Sequence, residues 1–475
     1  MKTNYSVSLT STINDSLFSH LIRSDGQEDL CFATYLPSTG SVRHGGIIQE
    51  IILPKKGERI VHGNVGFMPD YFERALKIAA DRKEGLAFIH SHPGPGWQGM
   101  SSDDVMAEKR IAPATFALTR LPLLGLTLGT DGAWSARYWE KNLSKKRVYV
   151  RHWCEVVKVV GKQLKITFND FILPPRFDSG KQLRTISAWG KETQEDLSRL
   201  KIGIVGLGSV GSIVAEILAR TGFSNFVLID FDSVEEKNLD RLTGVFKKDI
   251  GKAKVRVIKA AIKRSATSPM VKINTVEYSI CEKEGFDASL NCDVLFSCVD
   301  RPWPRQVLNF ISYAHLIPVI DGGIFVRTNK KNTKIIGADW KAQTIGIGRA
   351  CLECLGQYKT DNAILERAGK IDDPDYIKGM ADKSFFEAHE NVFVFSSHLA
   401  SMEVQQLLSL FMAPSGIADV GQQMYHFTTG KLDVENNKRC HDNCFFPTIT
   451  GKGDYSGVTV YSAHPIAEKA RQLRM

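Results

Sequence analysis

The stretch KIGIVGLGSVG at residues 201–211 decides the predicted fold of the larger part of the chain. Its first five residues predict a buried strand, and the apolar residues after the turn predict a helix that ends near residue 221. The turn itself carries Gly206, Gly208 and Gly211, a spacing that lets backbone N–H groups at a helix N-terminus approach a phosphate. A second predicted strand ends at Asp230, whose carboxylate suits the hydroxyls of a ribose. This stretch therefore predicts a nucleotide-binding unit.

Strands and helices continue to alternate after the strand at 225–230, with further strands predicted at 294–298 and 318–320. Such alternation is typical of a parallel α/β sheet with helices on its faces. Before residue 145, short strands accompany one clear helix at 69–81, which indicates an α+β domain. We therefore predict four parts: an N-terminal domain at 1–150, a connector at 151–182, a Rossmann-like domain at 183–445 and a C-terminal tail at 446–475.

Polar residues downstream of the glycine turn show what kind of nucleotide site this is. They are Asp232, Asn238, Arg241, Lys254 and Asp300. Together with the turn and Asp230, they resemble the ThiF/MoeB and ubiquitin-activating-enzyme family, which uses Mg-ATP to adenylate the C-terminal glycine of a ubiquitin-like protein. The resemblance implies that Arg241 and Lys254 neutralise the phosphates and that Asp300 holds Mg²⁺. It also implies a homodimer in which Arg184 reaches the ATP of the partner.

The sequence His90-Ser91-His92-Pro93 follows directly on a predicted apolar strand. Two imidazoles at i and i+2 can bind one metal ion, and Asp104, in the first turn of a following helix, is a candidate third ligand. Two histidines and one carboxylate leave a fourth zinc position for water, as in hydrolytic sites. On residue pattern alone, a turn followed by a helix cap explains these residues equally well.

These residues resemble the JAMM metalloprotease motif of the MPN family, which removes ubiquitin or ubiquitin-like proteins. The resemblance implies zinc ligands at His90, His92 and Asp104, and a Ser101 that hydrogen-bonds the oxyanion. The spacer before Ser101 is one residue longer than the family pattern, so Asp103 is an alternative to Asp104. The general base would be Glu28, with Glu50 as the rival upstream glutamate.

The nine cysteines include two close pairs, Cys351 with Cys354 and Cys440 with Cys444. Four thiolates at this spacing predict a structural zinc site, although His441 is an alternative fourth ligand. The resemblance to activating enzymes would place a thioester cysteine between the two pairs, but residues 355–439 contain none. We therefore expect no thioester on this chain. Among the remaining cysteines, Cys281 is a weak candidate for a nucleophile.

The composition, 43% hydrophobic and 24% charged residues, is typical of a folded globular protein. Neither a membrane span nor a targeting signal is evident, so we expect a cytoplasmic location. The net charge of +9 is concentrated at residues 247–264. Phosphate binding explains part of that excess, so nucleic acid is not an expected partner.

Our functional hypothesis is a fusion of a zinc peptidase with an adenylating enzyme, both acting on one ubiquitin-like β-grasp protein. A conjugating-enzyme-like or sulfur-transfer protein would be a further partner. Two alternatives remain open: sulfur-carrier activation in cofactor or metabolite synthesis, and an inactive MPN scaffold that binds a ubiquitin-like protein. A dehydrogenase is disfavoured because hydride transfer does not need Arg241, Lys254 and Asp300.

Overall fold

A computed structural model describes residues 3–62, 64–142, 144, 148–329, 334–371 and 391–474. The chain divides into two compact units, and in each of them the chain is discontinuous. The first unit comprises Met1–Pro174, Ala314–Leu316 and Ile449–Gly457. The second unit comprises Pro175–Tyr313, Ile317–Thr448 and Val458–Met475.

Among the described residues, the first unit contains a nine-stranded sheet, three α-helices and a separate two-stranded hairpin. The strands in chain order are β1 (Asn4–Thr10), β2 (Leu30–Thr39), β3 (Arg43–Ile52), β4 (Arg59–His62), β5 (Asn64–Phe67), β6 (Gly85–Ser91), β7 (Leu123–Leu128), β8 (Trp134–Lys141), β9 (Tyr149–Trp153), β10 (Val156–Val160) and β11 (Leu164–Phe168). The helices are α1 (Ser11–Leu21), α2 (Pro69–Arg82) and α3 (Ser102–Thr119). The sheet order is β11-β10-β1-β3-β2-β6-β7-β8-β9, and β4 pairs with β5.

Both faces of this sheet are buried, as strand β6 shows. Ala87 and Ile89 point into one apolar cluster, which also contains Leu17 of α1. Leu86 and Phe88 point into a second cluster, together with Tyr71 of α2 and Ile111 of α3. Because successive side chains of a strand alternate between faces, a strand covered on both sides must be apolar throughout. The predicted helix at 69–81 is observed as α2, with Pro69 in its first turn.

The segment predicted as a connector is divided between the units: residues 151–174 belong to the first unit and residues 175–182 to the second. Strands β9, β10 and β11 belong to the nine-stranded sheet, with β10 paired in parallel with β1. All five residues of β10 are buried, and Val157 and Val159 belong to the same apolar cluster as Ala87 and Ile89. The first unit consequently extends to Pro174 and not to the predicted boundary at 150.

The second unit contains an eight-stranded sheet. Its strands are β12 (Lys201–Val205), β13 (Asn225–Ile229), β14 (Lys272–Val276), β15 (Val294–Ser297), β16 (Val319–Thr328), β17 (Ile335–Ile345), β18 (Gln422–His426) and β19 (Lys431–Glu435). Its helices of four or more residues within the described ranges are α4 (Leu183–Trp189), α5 (Lys191–Arg199), α6 (Ser209–Thr221), α7 (Lys254–Ser265), α8 (Lys283–Ser289), α9 (Pro302–Ala314), α10 (Thr360–Arg367), α11 (Phe393–Met412), α12 (Phe445–Thr448) and α13 (Pro465–Gln472).

The strand order of this sheet is β14-β13-β12-β15-β16-β17-β18-β19. The first five strands pair in parallel, and the remaining pairs are antiparallel. Numbered along the chain, the parallel strands follow the order 3-2-1-4-5 of a Rossmann-type half. Successive strands are added on one side of β12 up to β14 and then on its other side from β15 onward, and ligands bind at the carboxyl ends of strands beside such a switch point. The predicted α/β class of this domain is confirmed.

The segment predicted as a C-terminal tail is divided between the units. Residues 449–457 belong to the first unit, whereas 458–475 belong to the second and include α13. Within the described ranges, every helix is too short or too polar to cross a lipid bilayer.

Candidate functional site

A cavity of about 1060 Å³ lies at the carboxyl ends of the parallel strands of the second unit. Most of the predicted nucleotide-binding residues line it. They are Gly206, Gly208, Asp230, Asp232, Asn238, Arg241, Lys254 and Asp300. Two predicted residues do not line the cavity: Gly211 is buried in α6, and Arg184 is exposed on α4.

The three glycines differ in what a side chain at each position would contact. Gly206 has a φ of 86°, and a Cβ atom there would lie 2.5 Å from the carbonyl oxygen of Cys298. At Gly211 a Cβ atom would lie 1.9 Å from the carbonyl oxygen of Gly206, so a side chain would separate helix α6 from the turn. A Cβ atom at Gly208 would meet no atom within 4 Å. Gly206 and Gly211 therefore allow the tight turn, whereas Gly208 leaves the wall of the cavity open beside the N-terminus of α6.

Asp230, Asp232 and Lys254 form a hydrogen-bonded cluster of charged groups beside the end of β13. Asp230 is buried and accepts hydrogen bonds from the backbone N–H groups of Leu207 (2.6 Å) and Asp232 (2.7 Å). Lys254 donates to Asp232 at 2.7 Å. Burial alone would lower the pKa of Lys254, but the carboxylates of Asp230 and Asp232 outweigh it and raise the pKa. Lys254 is therefore a cation that the fold holds inside the cavity.

The remaining predicted residues lie around this cluster. Asn238 is buried, and its side-chain oxygen accepts a hydrogen bond from the backbone of Glu235 at 2.9 Å, which shapes the loop that carries Arg241. The Arg241 guanidinium donates to Asp240 at 2.9 Å. Asp300 is exposed three residues after β15, on the opposite side of the switch point from the glycine turn. The arrangement combines fixed cations with a carboxylate accessible to solvent.

Sequence reasoning missed several charged groups of the cavity, including Arg305 and Lys341. Arg305 donates at 3.0 Å to the carbonyl oxygens of Gln357 and Gly322, so it ties three segments of the cavity together. Burial, together with the neighbouring Arg305, lowers the pKa of Lys341. Arg305 lies near the start of α9, the helix that follows β15, and this position could have indicated it. Lys341 lies inside β17, where only the tertiary pairing of strands brings it to the cavity.

In the first unit, the three residues predicted as metal ligands converge. The Nε2 atoms of His90 and His92 are 3.2 Å apart, and the Asp104 carboxylate oxygens lie 3.4 Å from His90 and 3.3 Å from His92. A tetrahedral zinc ion with nitrogen or oxygen ligands at about 2.0–2.1 Å requires ligand atoms about 3.3–3.4 Å from one another. The donor set and its spacing therefore fit a zinc ion, which would complete its coordination with water.

The two rival glutamates occupy different surroundings. Glu28 is half-buried, and its pKa is raised by burial, lowered by His92 and raised by Asp104, with a net increase. The next residue is fastened to the strand of the histidines, because the Asp29 backbone N–H donates to Ser91 Oγ at 3.0 Å. Glu50 is exposed and forms an ion pair with Arg82. Of the two candidates, Glu28 lies within the electrostatic reach of His92 and Asp104.

Ser101 is the N-cap of α3, as its pattern also indicated. Its Oγ accepts a hydrogen bond from the backbone of Asp104 at 3.1 Å, and its own N–H donates to the Asp104 carboxylate at 2.8 Å. This capping box orients the carboxylate of Asp104 toward the two histidines. Asp103, at the preceding position of the helix, is exposed and is absent from the convergent group of potential ligands. The cap and the ligand assignment are therefore compatible.

The four predicted cysteines also converge, with sulfur atoms all within 4.8 Å of one another. Cys351 and Cys444 Sγ atoms are 3.7 Å apart, and all four cysteines are free thiols. Tetrahedral zinc with sulfur ligands at about 2.3 Å requires sulfur atoms about 3.8 Å apart. The cluster fits a structural zinc ion. His441, the alternative ligand, is outside the convergent group.

Cys281 has the environment of a core residue. It is completely buried, and burial raises the pKa of its thiol well above the ordinary value. A thiol that is neither accessible nor ionised is a poor nucleophile.

The family match falls almost entirely in the second unit. Residues 180–439 match the ThiF family. Molybdopterin-synthase adenylyltransferase of Escherichia coli strain K12 is 29% identical over 171 residues, which are 36% of this chain and 64% of that protein. Ubiquitin-like modifier-activating enzyme 5 of Aedes aegypti is 34% identical over 128 residues, 24% of this chain and 31% of that protein. The chain thus spans less than two thirds of either relative.

Solved structures with partial similarity include Escherichia coli MccB with ATP, with a TM-score of 0.42 and 18% identity over 58% of this chain and 76% of that one. Escherichia coli tRNA N6-threonylcarbamoyladenosine dehydratase, TcdA, has a TM-score of 0.35 and 19% identity over 50% of this chain and 96% of that one.

Proposed function

The chain belongs to the ThiF family, and from this premise we propose that its second unit uses ATP to adenylate the C-terminal carboxylate of a ubiquitin-like or sulfur-carrier protein. The names of the relatives describe a molybdopterin-synthase adenylyltransferase and activating enzymes of a ubiquitin-like modifier. The observation that carries the proposal is the cavity that joins the glycine turn, the fixed cation Lys254 and the accessible carboxylate Asp300. A dehydrogenase has no use for this combination.

In the proposed reaction, a carboxylate oxygen of the substrate protein bonds to the α-phosphorus of ATP. The bond from that phosphorus to the oxygen bridging to the β-phosphate breaks, and pyrophosphate leaves. Lys254 and Arg241 offset the negative charge that develops on the phosphate oxygens, and Asp230 orients the ribose. Mg²⁺, when bound, supplies further positive charge on the phosphates, and we assign Asp300 as its carboxylate.

Pyrophosphate exchange into ATP tests this proposal without requiring any thioester. Wild-type protein should exchange label only when a β-grasp protein with a free C-terminal glycine is added. Asp300→Ala should lower exchange by several orders of magnitude, because metal and charge stabilisation supply several kcal/mol. Asp361→Ala, at an exposed aspartate on α10, is the matched control. Binding of NAD instead of ATP in calorimetry of the full chain would refute the assignment.

The reaction that follows adenylation distinguishes the two forms of the proposal. Transfer to a conjugating-enzyme-like protein would define a modifier pathway, whereas transfer of sulfur to the adenylate would define a sulfur-carrier pathway. We propose that the enzyme is a homodimer in which Arg184, exposed on α4, contributes to the nucleotide of the partner. An Arg184→Ala variant mixed with an Asp300→Ala variant should then recover part of the exchange activity.

We also propose that the first unit is a zinc peptidase of the JAMM type, acting on the same carrier protein. The spacing of His90, His92 and Asp104 supports this second function. Zinc, when bound, would polarise the scissile carbonyl and acidify a water molecule. Glu28 accepts the proton of that water, and Ser101 donates a hydrogen bond to the oxyanion.

Metal content tests the peptidase proposal separately from adenylation. The purified chain should hold two zinc ions, and the combined His90→Ala and His92→Ala variant should hold one. Cleavage of a carrier precursor extended beyond its terminal glycine should be lost in that variant, while pyrophosphate exchange is retained. Equal zinc content in both proteins would remove the hydrolytic site, and zinc binding without cleavage would favour the scaffold alternative.

A further inference from the structure

Residues 458–474, which the sequence assigned to a tail, contribute to the wall of the nucleotide cavity. His464 and Ile466, at the start of α13, both line it. His464 is buried between aromatic rings, with centroid distances of 5.3 Å to Phe231 and 5.2 Å to Trp303. Ile466 is 39% exposed. This segment therefore presents one anchored side chain and one accessible apolar side chain to the cavity.

The segment is fastened to the loops that follow β13 and β14. Arg471 binds both carboxylate oxygens of Glu282, at 2.6 and 2.9 Å, and its guanidinium lies 4.2 Å from the ring centroid of Tyr278. Arg474 donates at 2.6 Å to the carbonyl oxygen of Phe231 and at 3.1 Å to Ser233 Oγ. Phe231 and Tyr278 line the cavity themselves. Arg471 and Arg474 therefore set the distance between α13 and these loops.

The strand order indicates which part of a nucleotide would meet this segment. The glycine turn follows β12, Asp230 follows β13 and Tyr278 follows β14, and these strands are consecutive neighbours in the sheet. A nucleotide with its phosphates at the turn and its ribose at Asp230 extends its base toward the β14 side. There the lining includes Phe231, Tyr278, Ile280 and Ile466. Aromatic and apolar side chains are suited to the flat faces of a purine.

We propose that His464 and Ile466 form part of the nucleobase wall of the nucleotide site, with Ile466 against the purine ring and Arg471 and Arg474 as positioning residues. The inference rests on the proposed use of ATP. It places residues that recognise the nucleobase in a part of the chain beyond the ThiF match, which ends at residue 439.

The test is the affinity of the full chain for ATP, measured by calorimetry. Ile466→Asp places a charge against the base and should weaken ATP binding at least tenfold. Leu473→Asp is the matched control, since it adds the same charge at a 79% exposed position just after α13 and outside the lining. It should bind ATP as the wild type does. Both variants should melt at the wild-type temperature without nucleotide.

Ile466→Ala keeps the test decisive if the aspartate impairs folding, and it should weaken ATP binding several-fold. The Arg471→Glu and Glu282→Arg single variants should each weaken ATP binding, and the double variant should restore it. If Ile466→Asp and Ile466→Ala bind ATP as the Leu473→Asp control does, the inference is overturned and the proposed function stands. If the wild type itself fails to bind ATP, the proposed function fails, and the inference fails with it.

Discussion

Alanine at Gly211 and alanine at Gly208, introduced separately, should divide the glycine turn into a folding role and a ligand role. The Cβ of Gly211→Ala would lie 1.9 Å from a backbone oxygen, where ordinary contact begins at 3.4 Å. Because the neighbouring atom is backbone, no side-chain rotation can relieve the overlap. Overpacking of this kind costs about 1–3 kcal/mol or more, and we expect the upper end of that range in the free energy of unfolding.

An alanine at Gly208, in contrast, would cause no such overlap within the protein. Its φ of −73° suits any L residue, and its Cβ has no atom within 4 Å. The free energy of unfolding should therefore change by about 0.5 kcal/mol or less. The added methyl group would instead occupy space at the cavity wall where a phosphate approaches the N-terminus of α6. An overlap worth about 1–3 kcal/mol corresponds to a roughly 5- to 150-fold weaker affinity for ATP.

The assay is urea unfolding of both variants alongside calorimetric titration with ATP. The expected result is a crossed pattern, in which Gly211→Ala loses stability and Gly208→Ala loses affinity at wild-type stability. Wild-type ATP affinity in Gly208→Ala would refute the placement of phosphate at this turn. Wild-type stability in Gly211→Ala would refute the steric argument for the turn itself.

Three further predictions concern single side chains. Lys254→Met should lower pyrophosphate exchange by about 10²–10³-fold, because it removes a fixed cation from the developing charge, and a loss below tenfold would contradict this role. Glu28→Gln should abolish cleavage of a carrier precursor while zinc, measured by mass spectrometry, stays bound; Glu50→Gln is the active control, and the reverse outcome would exchange the two assignments. Cys351→Ser should lose one zinc ion and lower the melting temperature, because a structural zinc site contributes folding free energy, so an unchanged melting curve would exclude that contribution.

The elements that the sequence predicted well are those set by neighbours along the chain. The glycine turn between β12 and α6 depends on steric contacts within about six residues, and α2 depends on a 3.6-residue pattern with Pro69 at its start. The histidine pair at the end of β6 is equally local, because a strand places residues i and i+2 on one face. Zinc-like spacing of the cysteine pairs could also be predicted, since each pair is a short motif.

Other features depend on which distant segments lie side by side, and local patterns do not contain that information. The apolar run of β10 predicts a strand, but only its parallel pairing with β1 shows that it belongs to the first unit. The sequence around Glu28 and Glu50 does not show which of them lies near the histidines. In the structure, the hydrogen bond between Asp29 and Ser91 holds Glu28, and not Glu50, near His92.

A phosphate site at the glycine turn can be predicted from the sequence, because phosphate binding at a helix N-terminus depends on consecutive backbone groups. The residues that surround the turn depend on tertiary structure. Lys341 reaches the cavity through the antiparallel pairing of β16 and β17, and Ile466 reaches it through ion pairs that fasten α13 to loops almost two hundred residues earlier. Contacts of such long sequence separation depend on the packing of the whole unit, which no stretch of the chain specifies by its own pattern.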